Sequence, residues 1–94
     1  MKTIKIVNKA GSFAENKDIA RDMRISKITP LLEKGNEITL DFEGVESVTQ
    51  SFIHALLSEV IREFGSEVLD KIYFKNCNDT VKGIINIVVD YMQI

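Results

Sequence analysis

Three short β-branched runs alternate with three segments of helical period, and that alternation limits the fold more than any other feature of the chain. Thr3-Ile4-Lys5-Ile6-Val7 is the first run, Ile38 to Phe42 the second, and Val68 to Lys75 holds the third, clearest at Lys71-Ile72-Tyr73-Phe74. Helical pattern begins near Glu15 or Asn16, with Ile19, Met23, Ile28, Leu31 and Leu32 on one face. Pro30 is expected to kink this helix or to restart it as the first residue of a final turn, and Gly35-Asn36 to end it. A second helix runs from about Thr49 to Phe64 on an Ile53, Leu56, Leu57, Val60, Ile61, Phe64 stripe, and Gly65 stops it. Asn76, Asn78 and Asp79 offer a cap for the third, whose Val81, Ile84, Ile85, Val88, Val89 and Met92 form a single face expected to pack on the sheet. Gly83 inside that helix implies close packing or room for a partner.

The β-α-β-α-β-α order with short connections predicts an α/β fold: a small open sheet, mainly parallel core strands, and helices packed on the sheet. With 94 residues the chain suffices for a single domain, 1–94, and is too short for two. A sheet this small leaves edges that need cover from a loop or a partner chain.

Bulk chemistry excludes several classes. The formal net charge is −2, so the basic excess of a nucleic-acid binder is missing. Lys2, Lys5 and Lys9 add local positive charge, but no aromatic residues interleave them to make a stacking platform. No apolar stretch approaches the ~20 residues that span a bilayer. The lone Cys77 forms no internal disulfide, which points to a reducing, cytoplasmic setting. His and Cys are too few for a metal site, and no cofactor motif occurs. A His54–Cys77 dyad would lack an orienting acid, so no catalytic residue and no enzyme activity are expected.

One stretch does carry chemistry. Ile38 to Phe52 reads as a buried strand, a turn at Gly44, and a helix start on Thr49-Gln50-Ser51. A helix start exposes unpaired N–H groups and a partial positive charge, which favour an anion or a phosphorylated side chain. Thr49 is the expected cap, and Ser47 with Gln50 an alternative capping box. Asp41 ends the strand, where α/β ligand sites cluster, but accepting hydrogen bonds from the next loop is its favoured role. Glu43 and Glu46 are expected to face solvent.

Asp41-Phe42-Glu43-Gly44-Val45 followed by Thr49-Gln50-Ser51-Phe52, with Gly11-Ser12-Phe13 and Ile19-Ala20-Arg21-Asp22-Met23-Arg24 upstream, resembles the STAS superfamily of anti-sigma-factor antagonists. The closer likeness is to a STAS-like bacterial family of uncharacterised function, and it covers nearly the whole chain. That resemblance implies a non-enzymatic interaction or regulatory module in signalling, with a protein partner such as a histidine-kinase-like ATPase. Ser51 falls on the serine that is phosphorylated in the antagonists. Thr49, Gln50 and Phe52 depart from the antagonists' aspartate, serine and glycine, and the bulk of Phe52 argues against a regulated phosphorylation. The candidate surface is therefore Ser51, Thr49, Gln50, Asp41 and Gly44. Competing readings are a nucleotide- or anion-binding sensor using the same helix start, and a subunit that self-associates as a homodimer.

Overall fold

The computed structural model describes residues 2–92. The elements in chain order are β1 (Lys2–Lys5), α1 (Val7–Ala10), β2 (Phe13–Ala14), α2 (Lys17–Met23), a π-helical turn (Arg24–Ile28), α3 (Thr29–Glu33), β3 (Ile38–Asp41), β4 (Ser47–Val48), α4 (Gln50–Phe64), a 3-10 segment (Ser66–Lys71), β5 (Ile72–Lys75) and α5 (Asp79–Met92). β1, β3 and β5 make an all-parallel sheet in the order β1-β3-β5, as the βαβ alternation requires. Every residue of the central strand β3 is buried, because both faces of a parallel sheet are covered. Ile4, Leu40, Phe42, Phe52 and Leu56 belong to one core, and the Phe42 and Phe74 rings meet at 6.5 Å, tilted by 34°.

Four local departures from the sequence reading have physical causes. The first strand stops at Lys5: Ile6 turns into the right-handed helical region and is fully buried, so the β-branched run ends as a core anchor and one helical turn. The helical segment from Lys17 does not run straight to a kink at Pro30. It widens at Arg24–Ile28, where Thr29 N–H bonds to the Arg24 carbonyl, and restarts with Pro30 in the first turn of α3. Proline has no N–H for the carbonyl four residues back, and a wide turn just before it absorbs the loss. The third strand begins only at Ile72, after the 3-10 segment. Finally, β2 and β4 pair in parallel as a second sheet too short to leave a periodic signal.

That second sheet places the helix start of interest. Glu46 and Ser47 N–H groups bond to the Ser12 carbonyl, and Thr49 N–H bonds to the Ala14 carbonyl at 3.0 Å. α5 lies against α4 and β4, with Val81, Ile85 and Val88 buried and Ile84 and Val89 half-buried. No helix of the described residues is long and apolar enough to cross a membrane.

Candidate functional site

At the start of α4, Thr49 is extended and its Oγ1 accepts the Phe52 N–H at 3.1 Å, which makes it the N-cap. Ser47 lies in β4 and is unavailable for the alternative capping box. Phe52 is fully buried, so its ring fills the core and leaves the first turn uncovered. Ser51 and Gln50 are exposed. The steric objection raised by Phe52 thus falls, and the Ser51 hydroxyl is open to a partner.

Gln50 and Ser51 line a hollow of about 460 Å³ with Lys17, His54, Ala55, Ile87, Val88 and Tyr91. Lys17 opens α2, so the starts of α2 and α4 and the last turns of α5 meet here. Ile87 is 53% exposed and Tyr91 71% exposed. They lie one turn apart on α5 and off its buried stripe, so the helix is apolar on a second, wet side. No acidic residue lines the hollow among the described residues.

Asp41 and Gly44 belong to a different arrangement. One oxygen of Asp41, Oδ1, accepts the Glu43 N–H and the Asn76 side-chain amide, both at 2.9 Å. Asp41 is only 6% exposed, and Lys5 and Lys75 hold the matching positions on the flanking strands. The Asn76 amide, the Glu43 N–H and these lysines hold the carboxyl below its ordinary range against the opposing effect of burial. Asn76 itself sits at φ 59°, a region that asparagine tolerates better than most residues. Gly44 has φ 85°, and a Cβ there would stand 3.3 Å from Val7 Cγ2. Asn78 completes the clasp: its Oδ1 caps α5 at the Val81 N–H, and its amide donates to the Glu46 carbonyl at 2.9 Å. The loop after β3 is therefore fastened to the β5–α5 connection, and neither Asp41 nor Gly44 lines the hollow. Glu43 and Glu46 are exposed.

His54 and Cys77 line separate hollows, His54 beside Ser51 and Tyr91, Cys77 beside Phe74 and Lys82. Burial pushes the Cys77 thiol up, away from the reactive thiolate. Among the described residues no group of three or more His, Cys, Asp or Glu side chains could hold a metal ion. Gly83 is exposed, and an added Cβ would meet nothing within 4 Å, so close packing does not explain it. The sequence reading missed Lys17, Ile87 and Tyr91 at the hollow and the pairing of Asn76 with Asp41, whereas Asn78 is among the residues it offered as a cap for α5. Ile87 and Tyr91, apolar residues spaced i, i+4 outside the stripe, are the signal that could have revealed the hollow.

A parallel βαβ core with an exposed, capped helix start following its central strand is the architecture of a STAS-like domain. A family model described as a STAS-like domain of unknown function (DUF4325) matches residues 20–82, about two thirds of the chain. The chain belongs to that family. No curated protein and no solved structure matches it.

Proposed function

We propose that this chain is a non-enzymatic regulatory module that docks a protein partner on the hollow at the start of α4. The observation that carries this reading is the exposure of Ile87 and Tyr91 beside the free first turn of α4. Apolar anchors next to unsatisfied N–H donors suit a protein surface, where aromatic residues serve as binding hot spots. The STAS-like fold supports a signalling role, and a bacterial cytoplasmic histidine-kinase-like ATPase is the partner we favour. Ser51, Gln50 and the hollow would be the contact, with Thr49 holding the turn in shape.

The test is photo-crosslinking in native cells, with a benzophenone side chain replacing Tyr91 in one strain and the exposed Glu43 in another. A discrete protein adduct from position 91 that Ile87→Asp abolishes supports the reading, with a melting curve confirming that the variant folds. Adducts of this chain with itself would favour the self-associating subunit instead. Saturable nucleotide binding lost in Ser51→Asp, without any adduct, would favour the sensor.

A further inference from the structure

A second surface, remote in sequence from the α4 start, has a chemistry of its own. A groove of about 610 Å³ runs between β1 and the π turn and α3. Lys2, Lys5, Lys9, Lys27 and Lys34 line it, with Ile4, Pro30 and Leu31 among the apolar lining. Five of the 12 Lys and Arg residues gather here in a chain with 14 acidic residues, yet no acidic residue lines the groove among those described. None of the five lysines forms a salt bridge with any described residue; the recorded ion pair joins Arg62 to Glu59. Lys5 acts on the Asp41 carboxylate, and the other lysines give the groove a positive charge that an acidic ligand would meet.

The groove also contains an open sheet edge. β1 pairs only with β3 among the described strands. Lys2 and Ile6 aim their N–H groups at Glu37 and Asp41 carbonyls of the β3 side. Strand alternation then turns the N–H and C=O of Thr3 and Lys5 to the outer edge, where no described strand pairs with them. Lysine on an edge strand is a common guard against edge-to-edge pairing. Lys27 and Lys34 lie on the helical wall, however, and protect no strand.

We propose that this groove captures an acidic, extended segment of another protein, which joins the sheet as a strand beside β1. Strand addition supplies main-chain hydrogen bonds to Thr3 and Lys5, and its carboxylates answer the lysines. A second copy of β1 is disfavoured, because it would bring a further lysine-rich edge and no carboxylate to the groove. A nucleic acid would leave the edge groups unpaired and find no aromatic residue lining the groove for its bases. This site is independent of the α4 hollow, so either can fail without the other.

The probe is a fluorescein-labelled peptide of alternating glutamate and valine, titrated against the full chain by anisotropy. Three results are expected: saturable binding that weakens with added salt, amide NMR shifts centred on Thr3 and Lys5, and a loss on the order of tenfold or more in the Lys27→Glu, Lys34→Glu double variant. Circular dichroism confirms that this variant folds. An analogue N-methylated at every residue keeps the charge but carries methyl groups in place of N–H donors on both edges, so it cannot pair as a strand and should bind at least about tenfold more weakly. No saturation by the order of 1 mM overturns the proposal. So does equal affinity for the methylated analogue, or displacement by a single-stranded oligonucleotide at lower concentration than by unlabelled peptide.

Discussion

Two glycines should respond to the same substitution with opposite signs. Gly83 lies inside α5, its φ is not positive, and a Cβ there would touch nothing within 4 Å. Alanine at this position gains helix propensity and lowers the entropy of the unfolded chain, so Gly83→Ala should stabilise the fold by about 0.5–1 kcal/mol. For a domain of this size the melting temperature should rise by roughly 2–8 °C. Gly44 sits at φ 85°, where any Cβ is strained, and its Cβ would press on Val7 Cγ2 at 3.3 Å. Gly44→Ala should therefore cost about 1–2 kcal/mol. Urea denaturation followed by circular dichroism reads both, with unchanged slopes and midpoints moving in opposite directions. A neutral or destabilising Gly83→Ala would refute the reasoning, because it would mean that something the structure leaves open at α5 occupies that space.

Other outcomes follow from the core and from Asp41. Ile85→Ala should cost about 2–5 kcal/mol in the same denaturation assay, since Ile85 is 4% exposed; a loss below ~1 kcal/mol would remove it from the core. Asp41 has its carboxyl pKa lowered from 3.8 in the fold. Its stabilisation is therefore complete above that value and is lost as pH falls through the lower folded value. Asn76→Gly removes the main cause of the shift while suiting the φ of 59°, so stability measured from about pH 6 down to pH 2 should fall less steeply than in the parent.

The architecture was legible because it rests on local periodicity. Val81, Ile85 and Val88 repeat at helical spacing and are buried, and Ile38 to Asp41 is an apolar-rich run that becomes the central strand. Length decides where this fails. Phe13–Ala14 and Ser47–Val48 are pairs of residues, and two residues carry no period; only the Ser12 and Ala14 carbonyls, reached from 34 or 35 positions away, reveal them as strands. The π turn was hidden for another reason: Pro30 announces a fault in the helix, but whether the ladder breaks or widens depends on the packing of Ile28 and Leu32.

The site divides along the same line. Thr49 as the cap is local chemistry and could be read directly. The partner of Asp41 could not, because Asn76 is 35 residues away and reads in sequence as a helix cap. The same limit applies more strongly to charge. Lys2, Lys5 and Lys9 form a short one-signed stretch ahead of Glu15, but Lys27 and Lys34 stand in mixed local neighbourhoods, and the sum over the chain is −2. Segregation appears only when the right-handed crossover lays α3 and the turn before it beside β1, bringing residues 2–9 against residues 26–34. A nearly neutral total is thus compatible with a strongly one-signed groove, and net charge alone excludes non-specific nucleic-acid binding better than it excludes a specific acidic protein partner.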